Sequence, residues 1–394
     1  MKKTFALTGD YAYITPITTT IKSVLYHNPS STIYLVNSDI PQEWFKTVNQ
    51  QLRNSGNHII DIKIEPSYLN QEHVGLEHIQ PIAYGKILLP ELLKEDRVVY
   101  LDSDLIVTNT LDSLFNLNLQ GHTIACSLDV DENNGNFNTG VIVYDLKKAR
   151  SIPNLVQEEL EIGQNRELRN ADQDVMNKYF GTDFYKLPLD YNYQIGMDWI
   201  AFYNHHDYFY DLMNPIKDPK IIHYLTPDKP WKTVSTSRFR ETWWQYFALT
   251  FNDVINHAPL PNLDLTYKGK FFTFITTQNM GNLPQLIQRM PNYQFNIGAW
   301  SLLGEPVMKL LAFENVRLYP MITGPQLEQL KLDCDAYLDI NEDGKEQKVI
   351  DIFEKEDKPI FSFYNVAHNQ NNYSQYHIFE DNDLDGMIKK LAEL

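Results

Sequence analysis

Residues 4–7, 33–36 and 59–64 are short apolar runs, and two amphipathic stretches, 16–27 and 41–54, lie between them. In the first stretch Ile17, Ile21, Val24 and Leu25 fall at i, i+4, i+7 and i+8, which is one buried helix face. Thr15 is placed to cap that helix and Pro16 to open it, while Gly56 closes the second. The resulting β-α-β-α-β order predicts a parallel sheet with right-handed crossovers.

A helical pattern over 82–93, interrupted at Pro90, carries Lys86 and leads into Arg97-Val98-Val99-Tyr100-Leu101-Asp102-Ser103-Asp104. That run predicts a short buried strand ending at two carboxylates. Strand side chains alternate in direction, so Asp102 and Asp104 share one side and Ser103 faces away. The carboxyl end of a strand in an α/β sheet opens onto the crevice where such folds bind ligands. Hard oxygen ligands there suit Mg²⁺ or Mn²⁺ completed by a substrate phosphate. An isolated Asp-x-Asp more often caps a strand, here ahead of a helix at 109–115, so the surroundings must decide.

Strands at 122–128 and 140–144 flank a polar loop at 131–136. A helix at 171–180 opens with Asp172-Gln173-Asp174, and Asp190-Tyr191-Asn192-Tyr193 with a helix at 198–213 forms a wall of rings. A strand at 221–224 ends in the turn 226–231, and a helix of about six turns covers 236–257. Taken singly, His223 reads as structural and Lys229 as a solvated charge. After a Pro-rich linker at 258–262, strands at 271–276, 294–297, 316–319, 336–340 and 360–363 alternate with helices at 283–290, 306–312, 326–331 and 349–355, a second small parallel sheet. Two domains follow, 1–260 and 261–394. The stretch 339–344 hints at a calcium loop but lacks its twelfth-position Glu, and reads as a strand-ending turn.

Neither G-x-G-x-x-G nor a P-loop is present, so phosphate must be held by metal and lysine. The net charge of −17 disfavours nucleic acid. No run of about 18 apolar residues exists and the amino terminus reaches Gly9 and Asp10 too soon for a secretion signal, which places the chain in the cytoplasm with no transmembrane segment. Cys126 and Cys334, far apart, read as free thiols without a role. The 24 Tyr and 20 Phe fit a sugar-handling surface or simply a core.

Six ordered landmarks resemble the retaining glycosyltransferases of family 8, which includes glycogenin and lipooligosaccharide galactosyltransferases: Ala6 with Asp10-Tyr11, Tyr84-Gly85-Lys86, Asp102-Ser103-Asp104, Asn138-Thr139-Gly140-Val141, Asp172-Gln173-Asp174, and His223-Tyr224 with Pro227-Asp228-Lys229-Pro230-Trp231. The resemblance implies a GT-A-type, Rossmann-like α/β nucleotide-sugar domain. It implies that Asp102, Asp104 and His223 bind Mn²⁺, with Mg²⁺ as the alternative, a mixed oxygen and imidazole set favouring the former. Ala6, Thr8, Asp10 and Tyr11 would hold uridine, and Ser103 would lie against the UDP-sugar. Lys86, Asp129, Asn138, Asp172 and Gln173 would face the donor sugar, and Lys229 the diphosphate. Thr8 and Asp10 replace the family's more usual Asp and Asn, and Thr226 stands where a Gly often lies. Beyond residue 270, Asn296-Ile297-Gly298-Ala299 and Asn315-Val316-Arg317-Leu318-Tyr319-Pro320 resemble the add-on domain of enzymes that glycosylate bacterial serine-rich repeat adhesins.

The implied reaction moves galactose or glucose from UDP to a glycan on a glycoprotein acceptor. Gln173 is a poor nucleophile, so retention implies attack by the acceptor hydroxyl from the leaving-group face, with Asp172 orienting the sugar or the acceptor. A sugar nucleotidyltransferase would need a glycine-rich basic loop, a glycan-binding module would not need the metal ligands and diphosphate lysine, and a glycoside hydrolase would not bind UDP. Transfer to a lipooligosaccharide or cell-wall glycan is the rival within the class.

Overall fold

The computed structural model describes residues 3–65, 81–130, 135–165, 167–197, 207–213, 215–233, 235, 237–263, 266–322, 324–342, 346–368 and 373–394. They fall into two compact units. The first holds the described residues up to 229 together with 238–263, and the second holds those from 266 onward with the described part of 230–237.

The first unit contains β1 (Lys3–Thr8), β2 (Ser31–Asn37), β3 (His58–Lys63), β4 (Arg97–Leu101), β5 (Leu105–Val107), β6 (Ile124–Cys126), β7 (Val141–Asp145), β8 (Tyr185–Lys186), β9 (Tyr193–Ile195) and β10 (Ile221–Tyr224). Seven of these make a sheet in the order β3-β2-β1-β4-β7-β6-β8. The first four in that order run parallel, as the β-α-β-α-β pattern predicts. β7 runs antiparallel to β4, and this reversal matters for the site. It pairs Val141 with Leu101 and lets the Asp102 N–H donate to the Gly140 carbonyl at 2.8 Å, so 138–140 arrives beside the two carboxylates. A small sheet, β5-β10-β9, sets His223 opposite Leu105 on one side and Gln194 on the other.

Several expectations are corrected. The pattern over 82–93 is a 3₁₀ turn, Pro81–Lys86, followed by a short helix, Leu89–Leu92, with Pro90 in its first turn. Thr15 does not cap the first helix, Ile14–His27. A 3₁₀ turn, Tyr11–Tyr13, precedes it, and Asp10 caps that turn by accepting from the Tyr13 N–H at 3.0 Å. The helix at 109–115 shrinks to Asp112–Phe115. The single helix at 236–257 is two, Arg240–Ala248 and Phe251–Ile255. Leu249 between them is extended, and Thr250 starts the second with a reciprocal capping box to Asp253. Of the helix at 198–213, Asp207–Met213 is seen and the rest lies outside the described residues. So does 131–134 of the polar loop.

The second unit is a six-stranded, wholly parallel sheet of β11 (Gly269–Phe274), β12 (Tyr293–Gly298), β13 (Val316–Tyr319), β14 (Ala336–Leu338), β15 (Ile360–Phe363) and β16 (Tyr376–Phe379), ordered β13-β12-β11-β14-β15-β16. That is the doubly wound arrangement, reversing between β11 and β14. Its inner strands β14 and β15 are buried at every position because both faces are covered. One face packs Phe271, Phe295 and Ile297, the other Phe272, Tyr337 and Phe353. β16 and a last helix, Leu384–Leu391, extend the pattern beyond the predicted strand at 360–363. Asp339, buried at the end of β14, accepts from the His368 N–H at 3.0 Å and from the Tyr376 hydroxyl.

Candidate functional site

Asp102 follows β4 directly and Asp104 precedes β5, so both leave the sheet at its carboxyl edge. β10 carries His223 to meet them. Its Nε2 lies 3.3 Å from Asp104 Oδ1 and 3.7 Å from Asp102 Oδ2, and one ligand atom from each of the three residues falls within 4.8 Å of the others. Ser103 points away, its hydroxyl donating to the Thr8 carbonyl at 2.5 Å.

Two lysines frame this triad. The Lys229 ammonium lies 2.6 Å from Asp104 Oδ2 and donates to the Tyr224 carbonyl at 2.6 Å. The buried Lys86 ammonium bridges Asp102 Oδ1 at 3.0 Å and Asp172 Oδ2 at 2.7 Å, and sits 4.8 Å from the centre of the Tyr100 ring. Burial alone would lower the Lys86 pKa, but Asp102 and Asp172 outweigh it and hold the amine well above its usual value. Burial likewise works to raise Asp104, and Lys229 with His223 overcomes it, leaving the carboxyl well below the ordinary carboxylate range. Both groups are charged at neutral pH.

The donor-facing candidates converge on the same edge. Asp172, in the first turn of the helix Ala171–Phe180, accepts from the Thr139 hydroxyl at 2.9 Å. Gln173 donates through Nε2 to Asp129 Oδ2 at 2.5 Å and accepts through Oε1 from Asn138 Nδ2 at 3.0 Å. Thr8 and Ala6 are buried in β1, Thr8 Oγ1 lying 2.8 Å from the Tyr100 hydroxyl. Tyr11 is 50% exposed, a free ring face beside the capping Asp10. Thr226 takes φ +63, the left-handed region that glycine would occupy at no steric cost. Its neighbour Gly196 is also left-handed, and a Cβ there would come within 2.7 Å of the Leu225 carbonyl oxygen.

Some contributors are not apparent as site residues in the sequence. Tyr100 reads as one more apolar strand residue, yet its hydroxyl donates to Asp102 Oδ1 at 2.6 Å. Asn192 reads as part of an aromatic wall, yet its Oδ1 lies 3.0 Å from His223 Nδ1. The signal in each case is a polar group where burial is expected: Asn192 is 0% exposed, and buried polar groups have partners.

The donor set fits a divalent cation. Asp102, Asp104, Asp129 and Asp172 outnumber Lys86 and Lys229 by two, and Asp102, Asp104 and His223 offer oxygen and imidazole ligand atoms to one cation.

A fold with mixed and parallel sheets, carboxylates and lysines at the sheet's carboxyl edge and an add-on α/β unit define a nucleotide-sugar-type glycosyltransferase architecture. The chain belongs to glycosyltransferase family 8, whose model matches residues 4–235, and the GftB/GlyA-F C-terminal domain model matches 272–394. Among curated relatives it is 32% identical to glycosyltransferase GlyE of Streptococcus pneumoniae serotype 4 over 93% of this chain and 92% of that protein. It is 33% identical to GlyD of the same strain over 94% of this chain, which spans only 46% of GlyD. The crystal structure of GlyE superposes with a TM-score of 0.57 at 30% identity, covering 100% of this chain and 99% of that one. The galactosyltransferase LgtC, with donor and acceptor sugar analogues, shares the fold at TM-score 0.55 and 22% identity over 62% of this chain and 95% of its own. No helix among the described residues is long and apolar enough to cross a membrane.

Proposed function

We propose that this chain transfers galactose or glucose from a UDP-sugar, with retention and with Mn²⁺, to a sugar already present on a glycoprotein acceptor, a serine-rich repeat adhesin. The observation that carries this reading is the convergence of Asp102, Asp104 and His223 between Lys86 and Lys229. Asp102, Asp104 and His223 would hold the metal, which supplies Lewis-acid and charge stabilisation to a diphosphate leaving group. Lys229 is placed to add a point charge to the same diphosphate.

The sugar side follows from what the amides are committed to. Gln173 has both ends of its amide engaged, to Asp129 and Asn138, which suits a binding role better than a nucleophilic one. Asp172 is neutralised by Lys86 and held by Thr139, a geometry suited to orienting a hydroxyl. With Asp102, Asp104, Asp129 and Asp172 each engaged by a lysine or an amide, the acceptor hydroxyl approaches from the leaving-group face. Its oxygen bonds to the anomeric carbon as the bond to phosphate breaks, and a phosphate oxygen of the departing UDP takes its proton.

Residues 261–394 serve acceptor binding or stability in this reading, since every donor candidate precedes Pro230. Tyr364, 66% exposed just past the carboxyl end of β15, supports the acceptor role, because exposed rings stack on sugar faces. The test is a calorimetric titration with UDP. Binding strengthened by Mn²⁺ is expected, and absence of UDP binding would remove the reading in favour of a hydrolase or a glycan-binding module.

A further inference from the structure

His223 is held from behind by a chain of amides that begins at the donor-sugar side of the site. Asp129 Oδ2 accepts from Gln173 Nε2 at 2.5 Å, Gln173 Oε1 accepts from Asn138 Nδ2 at 3.0 Å, Asn138 Oδ1 accepts from Asn192 Nδ2 at 2.8 Å, and Asn192 Oδ1 faces His223 Nδ1 at 3.0 Å. An amide can be written either way round, so the direction of such a chain needs a fixed point. Here there are three. The Asp129 carboxylate can only accept, which turns the Gln173 NH₂ toward it. The backbone N–H groups of Gly140 and Thr139 can only donate, and they lie 2.9 Å from Asn138 Oδ1 and 3.4 Å from Gln173 Oε1. All three require the same orientation.

The consequence reaches the imidazole. Asn192 must present its carbonyl to His223, so Nδ1 is the nitrogen that donates to it, and Nε2, turned to Asp102 and Asp104, is the nitrogen left to ligate a metal. We propose that Asn192 is a positioning residue for the metal-binding histidine: it fixes the His223 tautomer and ring angle, and ties both to the amides that face the donor sugar. Ligating histidines need such a partner on the second nitrogen, and losing it typically costs about 10–100-fold in metal affinity. Asn192 lies outside the family landmarks, and its 0% exposure leaves the acceptor bond to His223 and the donor bond to Asn138 as its hydrogen-bonding tasks. The inference rests on the metal site of the proposed function, and its test must separate the two.

The discriminating pair is Asn192→Leu and Asn192→Asp in the full chain, both keeping the branched four-atom skeleton of the asparagine side chain. Mn²⁺ alone is titrated with the free ion counted by electron paramagnetic resonance, and thermal unfolding is followed in chelator. The substitution to Leu keeps the branched skeleton and removes the acceptor, so Mn²⁺ affinity should fall about 10–100-fold. The substitution to Asp preserves the acceptor for Nδ1, so Mn²⁺ affinity should stay near that of the unaltered protein, its cost falling on Asn138 instead. A residue that merely packs predicts the reverse order. Equal Mn²⁺ affinity in Asn192→Leu and the unaltered protein would overturn the proposal, as would an Asn192→Asp protein as weak as Asn192→Leu. Where Asn192→Leu does not fold, Asn192→Ala removes the same acceptor and is read by the same criterion. Failure of the unaltered protein to bind Mn²⁺ contradicts the metal site itself and the inference with it, a result distinct from any difference among variants.

Discussion

Gly140 makes room for His223: a Cβ added at Gly140 would lie 2.1 Å from the imidazole Cε1 and 2.5 Å from Nδ1. Real carbon contacts of that length do not occur, so the glycine in the Asn138-Thr139-Gly140-Val141 landmark is explained by the ring beside it rather than by its own backbone. Gly140→Ala should drive the imidazole out of reach of Asp102 and Asp104. Overpacking of this kind costs about 1–3 kcal/mol in stability, while Mn²⁺ binding should fall far more steeply than the melting temperature suggests. Metal titration of the folded variant checks it, and unchanged Mn²⁺ affinity would contradict the geometry.

Asp104→Asn and His223→Ala should each reduce transfer by on the order of 10²–10³, about 3–4 kcal/mol, which is the usual cost of removing a preorganised stabiliser of developing charge. The control is Asp174→Asn. Asp174 turns away from the site and accepts from the Arg169 and Asn170 N–H groups at 2.8 and 3.0 Å, bonds that an Asn oxygen can still accept, so this substitution should cost little stability and little activity. Steady-state rates with Mn²⁺ separate the three, and full activity in either ligand variant would refute the assignment.

Glu159 offers a test of energetics away from the site. It is 0% exposed on the helix Leu155–Gly163, and among the described residues neither its carboxyl oxygens nor the nearby Tyr144 hydroxyl has a hydrogen-bond partner. Burial raises its pKa well above the usual value. A carboxyl that holds its proton more tightly folded than unfolded loses stability as pH rises above its unfolded value near 4.5. Glu159→Met should therefore unfold at higher temperature than the unaltered protein at pH 7, by the equivalent of about 1–3 kcal/mol, with the difference shrinking toward pH 4. A lower melting temperature at neutral pH would show that Glu159 has a partner.

His27 acts in the opposite sense. Burial first, and then His257, lower its pKa to about 4, and its Nε2 lies 2.6 Å from the Tyr246 hydroxyl. The unfolded chain protonates this side chain near pH 6.5 while the folded one resists, so stability should be lost as pH falls from about 6.5 toward 4. Melting temperatures across that range should fall less in His27→Gln than in the unaltered protein. Parallel curves would contradict the shift.

What the sequence made legible was local. The alternation of apolar runs and amphipathic helices located β1 to β4 and most of the second sheet, because each of those strands carries enough buried residues to mark itself. β5, β8 and β9 have three or two residues each, and only their neighbours make them strands. The break at Leu249 was visible in principle as the Thr250 and Asp253 capping box, but the helical pattern on either side hides it. Asp102 and Asp104 stand out by spacing. Asn192 and Gly140 do not, since each owes its role to a ring 31 or 83 positions away, and no local pattern carries such a relation.

The measurement that bears most directly on the proposed activity is UDP release across a panel of UDP-sugars, each assayed with Mn²⁺ and with chelator. Loss of turnover on chelation is the result predicted by a triad of Asp102, Asp104 and His223 facing Lys229, and turnover fastest with UDP-galactose or UDP-glucose is the result predicted by the family 8 landmarks. Fastest turnover with UDP-N-acetylglucosamine, or a rate indifferent to the chelator, would contradict it.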